Sequence, residues 1–292
     1  MAFGKKGLFL ILVLVIAGIG YYGASRLSDG PIVAAENIPE SVPTPPTADP
    51  NILLPDLIPL PPADIKLDKR EDGLFLLFST TYYNPGLGQF ELRADPKTKG
   101  IRADIERDVV QRVYHKDGTY EDSLVGNFLW HQEHLHYHYA DFVTYDLSVV
   151  DAPPNPELDG LLTKSTFCLR DVSKVIGLEL ENAREEAEYK ICGKELQGVS
   201  VGWGDTYYYD YPGQALNVTS LASGTYKLMF VVNPNRCLKE ISFDNNIAWA
   251  IFKLDVEART VEVLQKFPAV TPEVDHVHLE DPFGMQYNTV RP

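Results

Sequence analysis

Trp130 is followed by four of the chain's seven histidines within eight residues: His131, His134, His136 and His138. In an extended strand, alternate side chains share a face. His134, His136 and His138 would then project together, with Leu135 and Tyr137 on the other side. Three imidazoles converging from one face make a metal site with an open coordination position, the arrangement a catalytic metal needs. His131 is out of step with the other three. In an unkinked strand it faces away, as a supporting residue behind the ligands rather than a fourth ligand. A stack of surface histidines or a tag-like run would give the same count. A tag, however, is terminal, and this cluster lies between Phe128-Leu129-Trp130 and Phe142-Val143. Buried imidazoles are costly unless bonded or metal-bound. An all-imidazole site suits copper or zinc, and the affinity order favours copper.

Two further segments carry chemistry. Lys164 opens Lys164-Ser165-Thr166-Phe167-Cys168-Leu169-Arg170-Asp171. A lysine there is ordinarily a surface charge. The other segment is Gly202-Trp203-Gly204-Asp205-Thr206-Tyr207-Tyr208-Tyr209-Asp210, followed by Pro212-Gly213-Gln214. Tyrosines beside glycines commonly build recognition surfaces. Neither segment identifies a function by itself.

The elements that must position these residues read as strands. Leu74–Tyr83, Gly88–Leu92, Val109–Tyr114, Leu135–Val150, Thr163–Leu169, Tyr226–Asn233 and Ile247–Leu254 are rich in aromatic and β-branched residues. Asn84-Pro85-Gly86, Asp117-Gly118, Pro153-Pro154 and Ser223-Gly224 punctuate them. Asp117-Gly118 predicts a hairpin between Val109–Tyr114 and Ser123–Trp130. Glu and Ala make Leu180–Tyr189 the one helix candidate. The expected fold is mostly β: an antiparallel β-sandwich core with long irregular loops and at most one or two short helices.

The ends set the context. Lys5 and Lys6 precede an apolar run from Gly7 to about Gly23, closed by Arg26. Its length falls between a secretory core and a spanning helix of about 20 residues. Residues 1–27 are therefore expected to be a signal peptide or membrane anchor, with the anchor favoured. The rest is exported either way, anchored by one N-terminal helix and facing outside, or secreted if cleaved after Ser25. Residues 28–62 hold Pro43-Thr44-Pro45-Pro46 and Pro59-Leu60-Pro61-Pro62 and read as a semi-rigid exported linker. Residues 63–267 are expected to form one folded domain, and 268–292 an irregular tail whose His276 and His278 are solvated and incidental. A formal net charge of −15 argues against nucleic acid and is compatible with cationic substrates such as amines. Cys168, Cys192 and Cys237 give one disulfide and a spare thiol in an exported protein, and spacing leaves the pair open.

Taken together, Trp130-His131-x-x-His134-x-His136-Tyr137-His138, Lys164 before Ser-Thr-Phe-Cys-Leu-Arg-Asp, and Asp205-Thr206-Tyr207 resemble the lysyl oxidase family. The similarity continues through Gly213-Gln214, Gly224-Thr225-Tyr226, Val232-Asn233-Pro234 and Asp244-Asn245-Asn246, over roughly residues 52 to 256. The resemblance implies a copper-dependent amine oxidase with a self-derived lysine tyrosylquinone. His134, His136 and His138 would ligate copper, and Tyr207 and Lys164 would form the crosslinked quinone. Primary amines, protein lysines or small molecules, would leave as aldehydes, with dioxygen consumed and hydrogen peroxide and ammonia released. Asp205, two residues from Tyr207, is the candidate base, with Asp141 and His131 as alternatives. Cys168 and Cys192 both match family cysteines, which implies that they pair. The chain departs from the animal enzymes at Glu133, where those carry a cysteine, and it has a membrane run and Pro-rich linker in place of their propeptide. A competing reading is an exported β-sandwich adhesion module that keeps a metal without catalysis. A three-histidine zinc hydrolase is another, but it leaves Lys164 and Tyr207 unexplained.

Overall fold

The computed structural model describes residues 49–98, 105–132, 135–155, 158, 166–211 and 213–276. The N-terminal apolar run therefore lies outside the described residues, as do His134, Lys164 and residues 277–292. Among the described residues there is no α-helix, and the strands form antiparallel sheets, as the β-sandwich expectation requires.

One sheet carries strands β9 (Val143–Asp151), β14 (Gly224–Val232), β15 (Ile247–Asp255) and β16 (Thr260–Phe267), in the order β16-β15-β14-β9. Its period-two alternation is strict: Tyr226, Leu228, Phe230 and Val232 are buried, as are Ala248, Ala250, Phe252 and Leu254 across from them. A second sheet is built on the long strand β4 (Gly73–Tyr83) with β12 (Trp203–Tyr207), β10 (Ser173–Ile176) and β13 (Ala215–Asn217). Phe78, Thr80 and Tyr82 of β4 face the first sheet. The Phe78 and Tyr145 rings meet edge to face at 5.0 Å, Tyr82 meets Phe142 at 4.8 Å, and the Thr80 and Tyr145 hydroxyls bond at 2.8 Å. The third sheet holds β5 (Phe90–Ala94), β6 (Glu106–His115), β7 (Tyr120–His131), β8 (His136–Tyr139) and β11 (Leu196–Val199). The hairpin at Asp117-Gly118 forms as expected, with Gly118 at a φ of +84° that its missing Cβ allows.

Four expectations are corrected. Leu180–Tyr189 is not helical. Its backbone is spent on distant partners: Asp171 Oδ2 accepts from the N–H groups of Glu188 and Tyr189, Arg184 N–H donates to Val201, and the Arg184 carbonyl accepts from the Trp203 indole. Tertiary bonding overrides the local propensity. Leu135–Val150 is two strands rather than one, broken before Phe142, with Asp141 at a φ of +52°. The Pro-rich linker does not run to residue 62. Strand β1 (Ile52–Leu53) pairs with β6, β2 (Ile58–Pro59) pairs with β4, and Leu57 is fully buried. The tail is not wholly irregular, since β17 (Glu273–His276) pairs with β10.

A buried carboxylate ties the N-terminal strands to the loop after β14. Glu240 Oε1 accepts from the side-chain amides of Asn233 and Asn246 at 2.6 and 2.7 Å, and Oε2 accepts from Leu57 N–H at 3.0 Å. Each amide gives its second hydrogen to a backbone carbonyl, Leu238 for Asn233 and Val232 for Asn246. Glu240→Ala leaves three buried donors without an acceptor, at about 1–3 kcal/mol each. Denaturant unfolding is expected to show a loss of at least about 3 kcal/mol, whereas a surface substitution such as Glu257→Ala changes stability by about 0.5 kcal/mol or less.

Candidate active site

The histidine segment is a hairpin, and this changes which imidazoles meet. Strands β7 and β8 pair antiparallel, with His131 directly opposite His136. Opposed residues of an antiparallel pair share a face, so His131 lies on the side of His136 and His138, not away from them. The His131 and His138 rings stack at 4.6 Å. The expectation that His131 faces away assumed an unbroken strand; the chain instead reverses between the two, with Leu135 at a φ of +54°. His136 and His138 are buried, and their Nε2 atoms lie 2.8 Å apart. Two nitrogens each about 2.0 Å from one ion stand near this separation when they are neighbouring ligands. The second nitrogen of His138, Nδ1, bonds the Thr166 hydroxyl at 3.2 Å, the outer contact that fixes a ligating imidazole's tautomer. Among the described residues no group of three His, Cys, Asp or Glu side chains is arranged to hold a metal ion. The expected third ligand, His134, lies outside them. Two imidazole nitrogens so placed could serve as two of the ligands of a copper or zinc ion.

Thr166, Phe167 and Cys168 connect this hairpin to Tyr207. Phe167 forms an antiparallel bridge with Tyr139 of β8. Its ring packs against that of Tyr207, the centroids 4.0 Å apart. Tyr207, buried at the end of β12, accepts a hydrogen bond from Cys168 N–H at 2.7 Å and lies 3.2 Å from the Cys168 carbonyl, to which its hydroxyl donates. Cys168 is disulfide-bonded to Cys192, the pair the family resemblance implied, and the Cys237 thiol is free. The structure thus joins His138 and Tyr207 through three consecutive residues. Lys164 lies two positions upstream of Thr166 and outside the described residues.

Asp205 and Tyr207 lie on the inward face of β12, opposite Tyr82 and Thr80 of β4. Gly204 makes this close approach possible: a Cβ there would sit 2.4 Å from the Tyr82 carbonyl oxygen. Asp205 is 2% exposed, and one carboxyl oxygen has no hydrogen-bond partner. Burial pushes its pKa up to about 7, against the pull of the Arg170 charge and the backbone of Arg170 and Thr206. Burial, and then the Asp205 charge, hold the Tyr207 phenol well above its ordinary value. A carboxyl that titrates near neutrality beside a buried phenol suits proton transfer.

The opposite face of the same sheet holds a line of hydroxyls missed from sequence. Thr81, Thr206 and Ser173 bond in series at 2.8 and 2.7 Å, and Ser173 bonds His276 Nδ1 at 2.8 Å. His276 also meets the Tyr208 ring edge to face at 5.3 Å. His276 is therefore part of how β17 is held, not incidental. No local pattern signals it, because the partners are more than 100 residues apart.

Comparison with known proteins points to one family. A family model described as Lysyl oxidase matches residues 121–263, a span that contains the histidine hairpin, Lys164, Cys168 and Tyr207. Lysyl oxidase homolog 4 of Homo sapiens is 32% identical over 130 residues, which is 44% of this chain and 16% of that protein. Lysyl oxidase homolog 2B of Danio rerio is 33% identical over 122 residues, 41% of this chain and 15% of that protein. Lysyl oxidase homolog 2 of Xenopus laevis is 32% identical over 121 residues, 41% of this chain and 14% of that protein. The chain thus spans only about one sixth of the length of these relatives.

The raised pKa of Asp205 has a signature in stability. Between the ordinary carboxyl value and about 7, the folded chain keeps a proton that the unfolded chain has released. Stability therefore falls as pH rises through that window and is level above it. One proton gives a slope approaching about 1.4 kcal/mol per pH unit. Asp205→Asn removes this contribution. Unfolding free energies of the original chain and the variant, compared from pH 4 to 8, should diverge up to about pH 7 and then run parallel; a constant difference would rule out a buried protonated Asp205.

Proposed function

The chain belongs to the lysyl oxidase family, and from that premise we propose that it is a copper-dependent amine oxidase. It would convert primary amines to aldehydes outside the membrane barrier. Amine, dioxygen and water are consumed, and aldehyde, ammonia and hydrogen peroxide are formed. In this reading His136 and His138 hold copper together with His134, and Tyr207 and Lys164 become a lysine tyrosylquinone. Copper, when bound, would supply with dioxygen the oxidising chemistry for Tyr207, and a quinone built from Tyr207 and Lys164 would supply the carbonyl chemistry toward primary amines. The observation that carries the reading is the Thr166–Cys168 connection, in which one segment touches the His138 ring, the Tyr207 ring and the Tyr207 hydroxyl.

The chain's own residues have defined parts. Thr166 orients His138 through Nδ1 and leaves Nε2 for the ion. Phe167 and the Cys168 backbone fix the ring and oxygen of Tyr207. Lys164 stands two positions before Thr166 in the sequence. Asp205 is the candidate base: it is buried, titrates near neutrality and shares the inward face of β12 with Tyr207. His131 stacks on His138 and supports the ligand set. The reaction is the same for a free primary amine and for a protein lysine. The exported, membrane-anchored location belongs to this proposal, resting on residues 1–27.

Peptide mass spectrometry tests this reading. Protein matured aerobically with copper should yield a covalently joined pair of peptides, one containing Lys164 and one containing Tyr207, together with visible quinone absorbance. Lys164→Met and Tyr207→Phe should each abolish the joined pair, the absorbance and peroxide release from a primary amine. Unjoined peptides in copper-replete protein would refute the proposal.

A further inference from the structure

Tyr82 is a buried phenol that the reaction outlined above does not use. It sits on β4 directly across from Asp205 of β12, so both side chains point from one face into the core. Directly opposed residues have Cβ atoms about 5 Å apart. Tyr82 is 1% exposed and Asp205 2%. Each has a buried polar atom without a hydrogen-bond partner: the phenol oxygen of Tyr82 and Oδ2 of Asp205. A buried hydroxyl or carboxyl oxygen left unbonded is costly, and here two such atoms belong to cross-strand neighbours. One is a donor and the other an acceptor, so a single interaction satisfies both.

The surroundings assign the donor. Burial is the main cause that drives the Tyr82 phenol upward, and the next is the charge of Asp205, followed by Tyr207 and Asp171. The phenol therefore keeps its proton at every working pH. Asp171 already accepts from Ser200 through N–H and Oγ, and from the N–H groups of Glu188 and Tyr189. Tyr207 is engaged by the backbone of Cys168. Arg170 is the cationic group that acts on Asp205. Phe142 holds the Tyr82 ring edge to face at 4.8 Å, which limits its swing.

We propose that Tyr82 is a positioning residue for Asp205, its hydroxyl donating to Asp205 Oδ2 through one bridging water. The donation stabilises the ionised carboxylate, aims its other oxygen, and keeps the base partly ionised at neutral pH although it is buried. The role of Asp205 as base rests on the amine oxidase reading; the Tyr82–Asp205 contact does not.

The test uses the metal-free full-length protein with 13C-labelled aspartate. Asp205→Asn identifies the Asp205 carboxyl resonance by its loss. Removing a donor from a carboxylate raises its pKa, so Tyr82→Phe should move the Asp205 titration midpoint upward by about one pH unit. An unchanged or lowered midpoint would overturn the proposal. A second measurement needs no substitution at Tyr82. In a Tyr207→Phe background, the infrared difference spectrum across Asp205 ionisation should contain a tyrosine C–O band that disappears in the Asp205→Asn double variant; absence of that band would equally overturn it. In copper-matured protein, Tyr82→Phe should also shift the acidic limb of the kcat profile in the same direction. If the resonance moves but no amine is oxidised, the amine oxidase reading fails and the contact stands.

Discussion

The hydroxyl of Tyr207 is buried, and a phenol there must find hydrogen bonds that bulk water cannot supply. Cys168 supplies them from its backbone, giving its N–H at 2.7 Å and receiving at its carbonyl at 3.2 Å. Both bonds require the Cys168 peptide groups to be held in place, and neighbouring contacts hold them. Phe167 bridges Tyr139, Thr166 bonds His138, and the disulfide to Cys192 closes a loop with a sequence separation of 24. A crosslink of that span removes about 3 kcal/mol of unfolded-state entropy in the chain-entropy model. The segment has almost no ladder of its own, so these side-chain and covalent ties take the place of strand pairing.

What the sequence made legible follows from how local each cause is. Period-two alternation in Tyr226–Asn233 and Ile247–Leu254 gave two central strands, because each side chain reports its own face. Asp117-Gly118 gave the hairpin for an equally local reason. The histidine spacing marked the site but misplaced His131. Spacing along one strand cannot describe residues joined across a turn, and here Leu135 enters the left-handed region without a glycine to announce it. The helix expected at Leu180–Tyr189 failed because Asp171, nine or more residues away, takes the amides a helix would need to bond internally. Strand β1 was lost to a Pro-rich composition, although its partner β6 lies more than 50 residues downstream.

These failures share a physical origin in buried polar hubs. Asn84 accepts from Asp56 and Gly86 N–H and donates to the carbonyls of Gly88 and Val199. Asp171 gathers three amides and a hydroxyl, and Glu240 two side-chain amides and a backbone N–H separated from it by 183 residues. Irregular backbone can be buried only where such groups satisfy it. Each hub therefore substitutes for secondary structure, and a single sequence shows the polar residue without showing what it will bind.

Against these saturated hubs, the inward face of β12 is built differently. Asp171 and Asp205 are both buried aspartates whose pKa values burial raises. Asp171 has both oxygens bonded and serves the loops. Asp205 keeps an oxygen open toward a core face that also carries Tyr82 and Tyr207. A carboxyl placed only for stability gains from every donor within reach, because each one offsets its desolvation. Leaving one oxygen without a protein donor is costly to the fold, and a phenol that reaches it through water offsets part of that cost while the oxygen stays able to take a proton. The contrast between two aspartates in one buried neighbourhood, more than the burial of either, separates the group that holds the structure from the group available for chemistry.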